Sequence, residues 1–137
     1  MSNSNPIAQQ ICEAFQRTGV RATAQRYFVL EHLLTVRDHA SVEDLWAALN
    51  SKQPLASRAT VYNSLHALVG AGLVREFTLD GKAARYDANL DRHHHFICDI
   101  CGDMEDIDWF DLPGIDASPR SIRSFEVVLR GVCAKCK

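Results

Sequence analysis

Two short cysteine motifs dominate the second half of the chain: Cys98-Asp99-Ile100-Cys101 and Cys133-Ala134-Lys135-Cys136. In each motif two residues separate the cysteines, so both thiolates can reach one tetrahedral metal ion about 2.3 Å away. One such pair would leave a redox motif or disulfides open. Two pairs near the ends of one small domain favour a closed, structural zinc site with four sulfur ligands. The 31 residues between the pairs indicate that the metal ties a domain together end to end.

The composition is that of a soluble globular protein. The chain has 137 residues, of which 47% are hydrophobic and 23% are charged. No apolar run approaches the roughly 18 residues that a membrane-spanning helix needs. The first residues lack the charged and then apolar layout of a secretion signal. We therefore expect a cytoplasmic protein in a reducing compartment, where cysteines bind metal more often than they form disulfides.

The charge is distributed unevenly along the chain. The net charge is −2, but residues 1–86 carry 9 Lys and Arg against 7 Asp and Glu, whereas residues 87–137 carry 6 against 10. A mildly basic half thus precedes an acidic one. Any contact with nucleic acid is expected in the first half.

Hydrophobic periodicity predicts four amphipathic helices in the first half. Thr23 is the expected N-cap of the second, Ser41 with Asp44 resembles a capping box for the third, and Ser57 is the expected N-cap of the fourth. The inward residues are Ile7, Ile11, Ala14 and Phe15, then Tyr27, Leu30, Leu33 and Leu34, then Val42, Leu45, Trp46 and Leu49, then Val61, Leu65, Leu68 and Val69. Cys12, beside the first stripe, is interpreted as a core cysteine.

A β-hairpin is predicted after the fourth helix. Two strand-like runs, 73–79 and 83–87, flank the dipeptide Asp80-Gly81, which is typical of a tight hairpin turn. Helices followed by a hairpin are the layout of a winged helix-turn-helix domain. Globular proteins of other kinds share this layout, so it does not prove DNA binding alone.

Three consecutive histidines, His93-His94-His95, precede the first cysteine pair. In a strand, alternation would place His93 and His95 on one face and His94 on the other. Asp87 and Asp106 could converge on the same place, and nitrogen and carboxylate ligands suit Fe²⁺, Mn²⁺ or Zn²⁺. The residues alone equally allow a solvated histidine cluster. By spacing alone, His39 reads as a surface loop residue, and His66 as a phosphate contact or an idle surface position.

Taken together, these motifs resemble the ferric uptake regulator (Fur) family of bacterial repressors over nearly the whole chain. Their order and spacing are more specific than any single motif. The matching segments are Gly19–Arg26, His39–Leu45, Ser57–Tyr62, Gly72–Val74, Arg85–Asp87, His93–Gly102 and the terminal cysteine pair.

The resemblance implies a homodimer whose fourth helix enters the major groove of operator DNA. The DNA-binding residues would be Arg58, Thr60, Tyr62, Asn63, His66 and Lys82. A regulatory metal, Fe²⁺ or Mn²⁺ or else Zn²⁺, would be bound by His39, Asp87, His93, His95 and Asp106. Asp106 and the Tyr62-Asn63 pair are similar to the peroxide-responsive branch of the family, in which bound Fe²⁺ leads to oxidation of a ligating histidine. His39 and His93 would be the susceptible positions.

Some residues depart from the family pattern. Phe125 and Arg92 stand where many members have ligands for a second metal site, so we expect His94 to lack partners for such a site. Pro113, Gly114 and Pro119 interrupt the segment that should form the dimerisation helix.

The sequence therefore predicts an α+β protein: an N-terminal winged helix-turn-helix domain and a C-terminal α/β dimerisation domain with a structural zinc on four cysteines. The expected divisions are 1–87 for DNA binding, 88–92 as a hinge, and 93–137 for dimerisation and metal sensing. The expected function is a metal-dependent repressor, not an enzyme, that responds to peroxide. The alternative is an iron- or zinc-responsive repressor of metal uptake without peroxide sensing. The competing classes are a metal-assisted hydrolase and an interaction module held together by zinc. Neither class accounts for the helix-turn-helix half.

Overall fold

The computed structural model describes residues 5–37, 39–51, 54–78, 81–115 and 118–137. The chain forms two compact units, residues 1–90 and residues 91–137. The division between Leu90 and Asp91 falls inside the segment 88–92 that is predicted from the sequence to be a hinge. No helix in the described ranges combines the length and apolar character that crossing a bilayer would need.

Four helices form most of the first unit, and the predicted caps are confirmed. The helices are α1 (Pro6–Thr18), α2 (Ala24–Val36), α3 (Val42–Leu49) and α4 (Arg58–Gly70). The Thr23 hydroxyl accepts a hydrogen bond from the amide of Arg26, and the Ser57 hydroxyl accepts one from the amide of Thr60. These bonds satisfy amides that the first turn of a helix leaves without partners.

The capping box at the start of α3 is also confirmed. The Asp44 amide donates to Ser41 Oγ at 3.1 Å, and the Ser41 amide donates to Asp44 Oδ2 at 3.1 Å. The reciprocal pair fixes the point at which the chain enters α3.

We predict that Ser41→Ala destabilises the first unit by about 1 kcal/mol, the usual cost of losing a serine N-cap. The lost hydroxyl leaves the Asp44 amide without its acceptor. Urea unfolding followed by far-UV circular dichroism measures the change, with Ser121→Ala, an exposed serine of the second unit, as the control. Equal unfolding midpoints for the two variants would contradict the role of Ser41 as a cap.

A three-stranded sheet completes the first unit. Its strands are β1 (Ala40–Ser41), β2 (Arg75–Phe77) and β3 (Arg85–Asp87), in the order β1-β3-β2 with antiparallel pairing throughout. The pairing of β2 with β3 confirms the hairpin, although Leu79 and Asp80 lie outside the described residues. Periodicity did not predict β1, because two residues are too few to show alternation.

The hydrophobic core of the first unit contains the stripes predicted for the helices. Its fully buried members include Ile11, Val29, Leu45, Leu65 and Leu68. The prediction for Cys12 is wrong, since this cysteine is exposed. It follows Ile11 directly and therefore lies about 100° around the helix, outside the buried stripe.

The second unit contains one sheet formed by β4 (His93–Cys98), β5 (Met104–Asp108) and β6 (Val128–Gly131). The order is β5-β4-β6, with β4 antiparallel to β5 and parallel to β6. The chain as a whole mixes helices and sheets, which confirms the α+β class.

The expected α/β character of the C-terminal domain needs a correction, because the described part of 91–137 contains strands and turns without a helix. The segment between β5 and β6 includes Pro113, Gly114 and Pro119. Proline lacks the amide that an interior helical residue donates, and glycine loses more backbone entropy in a helix than any other residue. These residues explain why the described part of the segment is not helical.

Candidate functional site

The four cysteines of the two motifs meet at one place in the second unit. The sulfur atoms of this cysteine cluster (Cys98, Cys101, Cys133 and Cys136) all lie within 4.8 Å of one another. Cys101 Sγ and Cys133 Sγ are 3.7 Å apart. Four sulfurs around a tetrahedral zinc with bonds of 2.3 Å would be separated by about 3.8 Å. The cluster therefore fits a closed structural zinc site.

Backbone amides surround the sulfur of Cys98. The amides of Ile100, Cys101 and Cys133 donate to Cys98 Sγ at 3.4 to 3.5 Å. The donors of Cys101 and Cys133 make the largest contributions, and they lower the pKa of Cys98 to about 6. The side-chain hydrogen bond with Cys133, together with burial, raises the pKa of Cys136 to about 12. Cys98 therefore loses its proton most readily. Deprotonation of all four cysteines requires a bound cation.

A second group of ligand atoms lies on one face of β4 and β5. His93 Nε2 and His95 Nε2 are 3.1 Å apart, and Asp106 Oδ1 lies 3.4 Å from the former and 3.7 Å from the latter. The strand register explains this arrangement, because His95 is directly opposite Asp106. Donors bound to one ion at about 2.1 Å lie roughly 3 Å apart when adjacent. This histidine–aspartate group (His93, His95 and Asp106) therefore suits a divalent cation.

The remaining ring nitrogens of these two histidines face other acceptors. His93 Nδ1 donates to the carbonyl of Asp91 at 2.6 Å, and His95 Nδ1 lies 3.9 Å from Glu126 Oε2. A hydrogen bond at Nδ1 places the proton there and leaves the Nε2 lone pair for a metal. Sequence reasoning did not identify Glu126, since no motif connects it with His95.

His39 and Asp87 come together in the first unit. Ala40 is paired with Tyr86 in the antiparallel β1–β3 ladder, so the next residues outward are His39 and Asp87. His39 Nε2 lies 3.5 Å from Asp87 Oδ2, and both side chains are 4% exposed. His39 has a positive φ of 53° and packs edge-on against Phe77. A left-handed backbone at a buried histidine costs free energy and is commonest where function requires it.

His94 belongs to the opposite face of β4, as alternation predicts. Its ring is fully buried; Nε2 donates to the carbonyl of Phe110 at 2.8 Å, and Nδ1 accepts from the amide of Val127 at 2.8 Å. The His94 ring stacks on the ring of Trp109. The guanidinium of Arg92 lies over the same Trp109 ring, 3.8 Å from its centroid. Both nitrogens of His94 are therefore used by the backbone, which gives this residue a structural role.

The predicted DNA-contacting residues cluster on α4 and beside the hairpin. Arg58, Tyr62, Asn63 and His66 are exposed, as is Lys82, whereas Thr60 is half-buried and its hydroxyl lies 3.0 Å from that of Ser57. The ring of Tyr62 lies parallel to that of His66 at 6.4 Å. One helix thus presents cationic, aromatic and amide groups together. Such groups contact phosphates and base edges in DNA-binding helices.

Comparisons with known proteins agree with these features. The sequence model of the ferric uptake regulator family matches residues 17–128. The chain is 34% identical over 133 residues to the peroxide operon regulator of Bacillus subtilis, covering 93% of this chain and 92% of that protein. It is 31% identical over 129 residues to the peroxide-responsive repressor PerR of Staphylococcus epidermidis, covering 90% and 86%. The crystal structure of the Vibrio cholerae ferric uptake regulator superposes with a TM-score of 0.70 at 25% identity, covering 88% of this chain and 98% of that one.

Proposed function

The chain belongs to the ferric uptake regulator family, and from this premise we propose that it is a metal-dependent DNA-binding repressor that responds to peroxide. The main support for this proposal is the histidine–aspartate group. It places two imidazoles and a carboxylate within 3.7 Å of one another without a thiolate ligand. Such a site suits Fe²⁺ or Mn²⁺, with Zn²⁺ as a further candidate.

We assign DNA binding to the first unit. The exposed face of α4 supplies Arg58, Tyr62, Asn63 and His66, Lys82 follows the hairpin turn, and Thr60 supports the helix start. The N-terminus of α4 adds the partial positive charge that attracts phosphate groups. The partner is double-stranded operator DNA.

We assign dimerisation to the second unit, so that two copies present two recognition helices to a two-part operator. Its described residues leave several large apolar side chains exposed between β5 and β6, including Phe110, Leu112, Ile115 and Ile122. Exposed apolar side chains concentrated in one segment are typical of a surface that another protein covers. A homodimer would cover it without a further component.

The regulatory ion would be held by His39 and Asp87 of the first unit together with the histidine–aspartate group of the second. Metal binding would then favour one conformation by its differential affinity, and the DNA-competent state would be that conformation. The structural ion on the cysteine cluster is assigned as Zn²⁺. We assign a regulatory role rather than an enzymatic one. Metal-binding cysteines and a DNA partner support a cytoplasmic protein.

Peroxide sensing is supported by the similarity to two peroxide-responsive regulators and by the aspartate at position 106. When held beside His39 and His93, Fe²⁺ would supply the electrons that reduce hydrogen peroxide. Oxidation of His39 or His93 would remove a nitrogen ligand, weaken the metal site and release DNA. Iron- or zinc-dependent repression without oxidation is the alternative.

We expect anaerobic loading with Fe²⁺, followed by hydrogen peroxide, to add one oxygen atom to a peptide containing His39 or His93 and to abolish binding to the protein's own promoter DNA. The protein loaded with Mn²⁺ is the matched control and should keep its mass and its DNA affinity, because Mn²⁺ reduces peroxide poorly. Peptide mass spectrometry and gel shifts with and without chelator measure both. Unchanged mass and binding in the iron form would leave the alternative function, and binding that no metal or chelator alters would contradict metal dependence.

A further inference from the structure

The first residue of the recognition helix α4 is held by α3. Arg58 Nε donates to Glu43 Oε1 at 2.6 Å, and the Arg58 guanidinium carbon lies 3.9 Å from the centroid of the Trp46 ring. Glu43 and Trp46 are both on α3, three residues apart and therefore on neighbouring positions of one helix face. The guanidinium of Arg58 is thus covered on one side by an aromatic ring and joined at its edge to a carboxylate.

This contact is at the surface of the first unit. Arg58 is 56% exposed and Glu43 is 63% exposed. Exposed ion pairs of this kind contribute little to stability, so folding alone gives a weak reason for the arrangement. The pair does, however, engage Arg58, the first residue of α4, at the end of a helix that attracts phosphate.

We propose that Glu43 is an electrostatic competitor of DNA for Arg58, and that it lowers the affinity of the repressor for DNA of any sequence. The inference rests on the proposed DNA-binding function of α4. A phosphate that binds the Nε edge of the guanidinium must replace Glu43. The Glu43 carboxylate also repels a phosphate bound at the other N–H groups of Arg58. Contacts to phosphates add affinity without reading sequence, so weakening one of them limits binding at unspecific sites.

Glu43→Gln tests the competition. Gln keeps the size of the side chain and removes its charge, and the position is exposed, so the variant is expected to fold. We expect the metal-loaded variant to bind its own promoter duplex and a random-sequence duplex about fivefold more tightly at low salt, within the range of exposed ion pairs. The gain should shrink as salt is raised, because both ion pairing and phosphate contacts are screened.

A double-mutant cycle separates competition for Arg58 from a general change of charge. Glu13→Gln on α1 makes the same charge change away from α3 and α4 and serves as the control. In the Arg58→Ala background, the gain from Glu43→Gln should fall to that of the control. A gain equal to the control in the native background, or one that persists without Arg58, would overturn the proposal. Failure of the unmodified, metal-loaded protein to bind either duplex would instead contradict the proposed function.

Discussion

Replacing Cys98 with serine is expected to unfold residues 91–137 and to remove one tightly bound metal ion per chain. Among the described residues of this unit, the buried hydrophobic side chains are Cys98 and Cys133. A unit this small and this poor in apolar core depends on other sources of stability. Structural zinc sites supply about 10–16 kcal/mol of apparent binding free energy at neutral pH, and that energy is coupled to folding.

Elemental analysis of the purified protein measures the loss of metal, and far-UV circular dichroism during heating measures the loss of structure. Cys12→Ser is the matched control, because Cys12 is exposed on α1 in the first unit. We expect the control to retain its metal and its unfolding transition. A Cys98→Ser protein with a full complement of metal and an unchanged transition would contradict the role assigned to the cysteine cluster.

Asp106→Asn is expected to weaken binding of Mn²⁺ to the regulatory site by about 100-fold or more, given that outer-shell partners alone account for 10–100-fold. Asparagine keeps the shape of aspartate, but it replaces the anionic oxygen that lies 3.4 Å from His93 Nε2. Without that charge, two neutral imidazoles remain to hold the cation on this face of the sheet. DNA binding should then no longer respond to Mn²⁺.

Calorimetric titration with Mn²⁺, followed by gel shifts at fixed metal concentration, measures both effects. Glu105→Gln is the control, since Glu105 is the neighbouring acid on β5 and alternation directs it to the other face of the sheet. Retention of the cysteine-bound metal in both variants shows that the fold is intact. Equal Mn²⁺ affinities for the two variants would exclude Asp106 from the site.

Local patterns in the sequence predicted much of the first unit. The caps at Thr23, Ser41 and Ser57 depend on bonds to amides three residues away, so the necessary information is contained in a few consecutive positions. The alternation that separates His94 from its neighbours is equally local. Cys12 shows the limit of this reasoning, because a position one residue from a buried stripe was taken to belong to it.

Other features depend on residues far apart in the chain. His39 resembled an ordinary loop histidine, and only the register of β1 with β3 places it beside Asp87. Arg58 looked available for DNA, yet its guanidinium meets Glu43, fifteen positions earlier. Glu126 approaches His95 because β6 runs parallel to β4. Neither periodicity nor motif spacing reports such long-range pairings.

The two cysteine motifs by themselves predicted a four-sulfur cluster in the second half of the chain, because two residues between cysteines give each pair the geometry that one metal requires. The tertiary structure then brought the two pairs together. The tertiary structure also decided which partners the three consecutive histidines have. It joined His93 and His95 with Asp106 on one face of the sheet, and it committed both nitrogens of His94 to the backbone on the other. The physical reason is that ligand spacing within a motif is fixed by covalent geometry, whereas the partner of each histidine is fixed by strand register.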